Sequence, residues 1–155
     1  MKGNEQVIKH LNMRLAEELT AVNQYMVHAE MCENWGYKRL HGQILKRSID
    51  EMKHAEKLIA RILFLEGLPI VSELNKIHIG SEVSKMHTND HSAETVAIRG
   101  YNESVRVAVE VGDNGSRELF ESILEEEEEH IDLIEALMDQ IAQMGIQNYL
   151  SEQIG

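Results

Sequence analysis

Apolar residues return every three or four positions over four long stretches, the spacing of one buried helix face. The first stretch runs from about residue 4 to 34, with Ile8, Leu11, Leu15, Glu18, Val22, Tyr25, Ala29 and Cys32 along its seam. Asn4 is a fitting N-cap and Gly36 a fitting stop. The second, 38–65, carries Leu40, Ile44, Arg47, Glu51, His54, Leu58, Ile62 and Leu65, and Gly67 and Pro69 close it. The third spans 82–111 behind Ser81 as N-cap, with Val83, Glu94, Ala97, Tyr101, Ala108 and Val111 in the seam. The fourth, 116–144, follows the turn Asp113-Asn114-Gly115-Ser116 and steps through Phe120, Ile123, Glu127, His130, Ile134, Leu137 and Ile141 to Gly145. A tail over 146–153 has room for one or two further turns.

The connections constrain the topology. Tight turns join the first helix to the second and the third to the fourth, so each pair is an antiparallel hairpin. Between the hairpins lie the residues from Glu66 to Ser81. Extended at ~3.3 Å per residue they span roughly 50 Å, whereas a 27-residue helix is only about 40 Å long. The connection can therefore run the full length of a four-helix bundle. The reading is an all-α chain forming one domain over 1–155, with one long crossover and a short C-terminal helix.

Composition agrees and narrows the partners. Apolar residues make up 43% and charged residues 27%, enough for a packed core, while 5% aromatics and one proline speak against a β-sandwich. The formal charge of −12 disfavours nucleic acid and anionic membrane surfaces and favours cations. No apolar signal core opens the chain and no run is long enough to span a bilayer, which points to a cytoplasmic protein. A single cysteine, Cys32, makes no intrachain disulfide.

The informative positions are polar ones inside the seam: Glu18, Glu51, His54, Glu94, Glu127 and His130. A buried carboxylate without a partner costs several kcal/mol or more, on the order of the penalties for buried ions. Four of them require compensating cations, and two divalent metals supply the matching charge. In Glu-x-x-His both side chains lie on one helix face and reach one metal. Registry strengthens the motif: Glu18 and Glu51 are 33 residues apart, as are Glu94 and Glu127, and the set, including Tyr25 and Tyr101, repeats with an offset of 76. Such a repeat predicts a pseudo-two-fold site between the hairpins. Oxygen-rich ligands with two imidazoles favour iron or manganese over structural zinc. A Glu from each of two helices with Glu-x-x-His from the other two is the ligand pattern of ferritin-like di-iron and di-manganese bundles.

The stretches MKGNEQVIKHLN, EELTAVNQY, IDEMKHAE, RILFLEGLP, EEEHIDLIE and MGIQNYL carry a further resemblance. Over essentially its whole length the chain resembles the bacterioferritins. The resemblance implies a ferritin-like fold, a 24-subunit shell storing ferric mineral, and a ferroxidase centre that oxidises Fe(II) with O2 or H2O2. It implies Glu18 and Glu94 as terminal ligands, Glu51 and Glu127 as bridges, and His54 and His130 as one imidazole per iron, two irons per subunit. It also implies that Met52 and its copy across a two-fold ligate a b-type haem near Leu19, Asn23 and Ile49, and that a small ferredoxin supplies electrons for iron release. The alternative from another class is a di-iron peroxidase or oxygenase that stores nothing. The chain departs from many family members at Leu45, Lys46 and Arg47, where they carry Tyr, His and Glu; a lysine at 46 repels Fe(II) from an inner-wall site. Glu125, Glu126, Glu128 and Glu129 are expected on a solvated or cavity-facing surface. Most of His10, His28, His41, His78, His87 and His91 are expected at the surface. Tyr25 and Tyr101 are expected as core hydrogen-bonders.

Overall fold

The computed structural model describes residues 1–155. It contains α1 (Glu5–Asn34), α2 (Lys38–Phe64), α3 (Val83–Glu110), α4 (Asn114–Met144) and α5 (Ile146–Ser151), and no strand. α1 packs on α2 and α3 on α4 as hairpins, while α1–α3 and α2–α4 contacts close the bundle. No helix is long and apolar enough to cross a membrane.

Local chemistry sets the ends. Asn4 accepts hydrogen bonds from the Gln6 and Val7 amides and starts α1. Gly36, at φ +85°, turns the chain into α2. Two starts differ from the sequence reading. Ser81 does not cap α3: Glu82 holds the cap position, and its carbonyl accepts the Met86 amide at 2.9 Å. α4 begins inside the expected turn, because the Asp113 side chain accepts the Ser116 amide at 3.0 Å and its hydroxyl at 2.7 Å, drawing residues 114–116 into the helix. Arg61 near the end of α2 donates to both Asp113 and Ser116, tying the two hairpins at that end. Val111, expected in the seam, is exposed as the helix gives out.

The crossover lies along α1 and is fastened by one polar face of that helix. Asn12 donates to the Leu68 carbonyl and accepts the Ile70 amide, Thr20 accepts the Asn75 amide, Gln24 that of His78, and His28 Nε2 that of Gly80. The apolar core is split in two. One cluster gathers around Leu11, Leu15, Leu58, Ile62 and Phe120, the other around Tyr25, Cys32, Leu40, Ile44 and Met86. The polar seam residues lie between them.

Candidate metal centre

All four long helices contribute at mid-bundle: Glu18 from α1, Glu51 and His54 from α2, Glu94 from α3, Glu127 and His130 from α4. Each is at most 5% exposed. They form two overlapping groups, Glu18–Glu51–His54–Glu127 and Glu51–Glu94–Glu127–His130, and within each the ligand atoms lie within 4.8 Å of one another. Glu51 and Glu127 belong to both. The offset of 76 thus becomes two similar half-sites joined by two shared carboxylates.

Both imidazoles turn Nδ1 inward. His54 Nδ1 lies 2.9 Å from Glu127 Oε1 and 3.3 Å from Glu18 Oε2. His130 Nδ1 lies 2.9 Å from Glu51 Oε1 and 3.5 Å from Glu94 Oε1. The tyrosines reach across the hairpins: Tyr25 donates to Glu94 Oε1 and Tyr101 to Glu18 Oε1, each at 2.5 Å. They are core hydrogen-bonders that orient the two unshared carboxylates, and burial beside carboxylates pushes both phenols well above their usual range.

What the centre lacks is partners. Glu51 Oε1, Glu94 Oε2, both oxygens of Glu127 and His130 Nδ1 are buried with no hydrogen bond. The close approach of His130 Nδ1 to Glu51 is therefore proximity without hydrogen-bond alignment, as befits atoms converging on a common point. Burial, then the like charges of neighbouring glutamates, push the Glu51 and Glu127 carboxyls far above the ordinary carboxylate range. Burial works against a charged His54, but the Glu127 and Glu18 carboxylates outweigh it and raise the imidazole to about 10. Burial likewise opposes ionised Glu94, yet contacts from Glu127, His130 and Tyr25 hold it low. Buried groups of this kind are normally satisfied. Four carboxylates and two imidazoles with orphaned ligand atoms fit a pair of divalent cations, as oxygen-rich sites with imidazole suit iron and manganese.

A cavity of about 570 Å³ between α1 and α3 reaches Glu18, Glu51, Glu94 and Glu127 from the crossover side. A second, of about 1020 Å³, lies against α2 and α4 and is lined by Asp50, Glu126 and His130 among others.

The six seam residues come together as their spacing requires. Met52 stands apart, 44% exposed on the outer side of α2, with Ile49 also exposed and Leu19 and Asn23 partly so. Glu126 faces the second cavity, as expected, and its carboxylate also bonds His54 Nε2. Asp50 does the same for His130 Nε2 at 3.1 Å. The signal was present, since 50 and 126 also differ by 76. His28 and His87 are fully buried rather than at the surface. His28 bonds Asp90, which also takes Gln24 and Arg47, and His87 meets the Tyr149 hydroxyl. Stepping back from Glu94 by four and three lands on Asp90 and His87, so the seam pointed to them.

Comparison with known proteins agrees with this fold. Residues 8–144 match the ferritin-like domain family. The chain is 41% identical to the bacterioferritin of Brucella melitensis and 40% identical to that of Rhodobacter capsulatus, covering 96% of this chain and 92% of each relative. It is 40% identical to the bacterioferritin of Streptomyces coelicolor, over 99% of this chain and 92% of the relative. With a helical bundle and a four-carboxylate, two-imidazole centre already in place, these matches settle the family: the chain belongs to the bacterioferritins, within the ferritin-like domain family.

Proposed function

We propose that this chain is an iron-storage protein with ferroxidase activity, working in the cytoplasm as a homomeric shell of 24 copies. The carrying observation is the set of orphaned ligand atoms in two groups that share Glu51 and Glu127. Two Fe(II) ions enter as substrate. Glu18 and His54 hold one, Glu94 and His130 the other, and Glu51 and Glu127 bridge them. Bridged metals of this kind sit ~3.5–4 Å apart. Each Fe(II) gives up one electron. O2 takes the pair and leaves with two protons as H2O2, or H2O2 takes it and leaves with two protons as two waters. The anionic oxygens favour the higher charge of Fe(III), which passes on to ferric mineral. Tyr25 and Tyr101 hold Glu94 and Glu18 in place throughout.

The outer surface supports assembly. Phe64, Leu68 and Leu133 are 51%, 79% and 63% exposed, and large exposed apolar residues in number mark association surfaces. Met52 presents an open thioether beside exposed Ile49, and with its copy in a second subunit it would hold a b-type haem. When bound, haem supplies one-electron chemistry. A small ferredoxin is the proposed electron donor for iron release.

Aerobic loading with Fe(II) followed by sizing tests the reading. A 24-copy particle that retains ferric mineral is expected. A small oligomer that consumes O2 or H2O2 and holds no mineral would replace storage by a peroxidase or oxygenase.

A further inference from the structure

The cavity of about 570 Å³ that reaches the centre is lined by one carboxylate belonging to neither half-site, Glu17. Glu17 and Asn75 also line a third cavity, of about 560 Å³, between α1 and the crossover, so the two cavities meet at this pair of residues. Around Glu17 the first cavity is walled by uncharged side chains, Thr20, Ala21, Gln24, Ala93 and Ala97 among them, and the crossover adds exposed Lys76. Glu17 does not hang free. Arg14 Nη2 donates to its Oε1 at 3.1 Å, whereas Oε2 is buried with no hydrogen bond. Arg14 is itself only 4% exposed. It lies in a notch on α3, where a Cβ at Gly100 would come within 2.0 Å of Arg14 Nη1. A glycine inside a helix is disfavoured against alanine, and this one makes room for the guanidinium.

We propose that Glu17 is a docking carboxylate for the incoming divalent cation, a way-station between the third cavity and the two half-sites, and that Arg14 holds it there. The proposal rests on the di-iron reading. A cation passing between neutral walls sheds water without gaining an anionic ligand, which is costly. A carboxylate part-way along offsets that cost. The guanidinium fixes Oε1, so the side chain neither turns out to solvent nor drops onto the centre, and Oε2 is left to take the cation. Glu18, the next residue on α1, then receives it. A way-station eases entry and exit alike. It therefore sets how fast metal arrives and leaves, and it leaves the affinity of the filled centre alone.

Anaerobic stopped-flow binding of Co2+ to the purified full-length protein, followed at its visible d–d bands beside an equilibrium titration, tests this. Wild type takes two Co2+ per chain. In Glu17→Gln the association and dissociation rates fall together by about 10-fold, the low end of what a steering charge delivers, while stoichiometry and affinity stay as in wild type. The amide oxygen still accepts from Arg14, and melting of the metal-free variant at the wild-type temperature confirms that the fold is kept. Glu17→Asp, which keeps the charge, recovers part of the rate. Added salt slows wild type more than Glu17→Gln, since the variant has less charge to screen. Glu125→Gln removes the same charge from the second cavity and binds at the wild-type rate. Unchanged rates in Glu17→Gln, an equal slowing in Glu125→Gln, or a loss of affinity in Glu17→Gln with entry as fast as before overturns the docking role while the di-iron reading stands. A wild type that binds no Co2+ overturns both.

Discussion

Asp90 and Glu94 sit one turn apart on α3, both fully buried, and their surroundings differ sharply. Around Asp90 the charge is matched. Oδ1 accepts from Gln24 at 2.8 Å and from His28 at 2.9 Å, and Oδ2 accepts from Arg47 at 3.2 Å. Gln24 and His28 use their remaining ends on the crossover amides of His78 and Gly80. Only Arg47 Nε and, at the edge, His87 Nδ1 are left over. Around Glu94 the reverse holds: one of its own oxygens and three more from Glu51 and Glu127 are orphaned. Burial of charge is common to both layers, so it does not by itself mark a functional site. Satisfaction does. The Asp90 carboxylate is fully partnered as folded and its layer straps the crossover to α1, whereas the Glu94 layer keeps unpartnered ligand atoms that cations, under the proposed function, would satisfy.

The largest effect is expected at Asp90. Asp90→Ala leaves the Arg47 guanidinium buried without its carboxylate, a loss of about 3–5 kcal/mol. Chemical denaturation of the metal-free protein reads it, and hydrogen exchange should rise across residues 66–82 as the crossover loosens. Little change in either would mean that the two layers do not differ as described.

Acid gives the next effect. His87 packs against the Asp90 side of the bundle, and burial, reinforced by Arg47 and His28 and opposed by Asp90, lowers it from 6.5 to about 4. The native state therefore resists protonation that the unfolded chain accepts below its own pKa. The stability is fully present above pH 6.5 and is lost as pH falls toward 4, by up to ~3 kcal/mol. Thermal unfolding at stepped pH should show this slope in wild type and less of it in His87→Gln.

The smallest effect has the opposite sign. Glu127→Gln in metal-free protein replaces a carboxyl that burial and like-charged neighbours make costly to ionise, and should leave stability unchanged or raise it by about 1 kcal/mol. Stability added by excess metal should fall in the same variant, since Glu127 belongs to both half-sites. A destabilised metal-free Glu127→Gln would make this layer resemble the one at Asp90.

The four long helices and the convergence of the six polar seam residues were legible because they follow two strong regularities, the three-four step and the offset of 76. Glu126 obeys the same offset but lies within a run of five glutamates, where composition argues for solvent and masks the exception. Asp90 and His87 continue the three-four step, yet a histidine without a repeat partner reads as surface. The crossover strap was not legible. Asn12, Thr20, Gln24 and His28 are ordinary polar residues for an exposed helix face, and only the path of residues 66–82 shows that backbone amides cover them. The starts of α3 and α4 were misplaced because capping depends on which carbonyl or carboxylate meets the first amides, and Asp113 outcompetes the turn that its sequence suggests.

The central claim is that the Glu94 layer is finished by two ferrous ions. Anaerobic Fe(II) titration of wild type beside Glu51→Ala addresses it directly. Saturable binding of two Fe(II) per chain in wild type, lost or reduced in Glu51→Ala, is the predicted result. No saturable binding in wild type, or equal binding in both proteins, would contradict it.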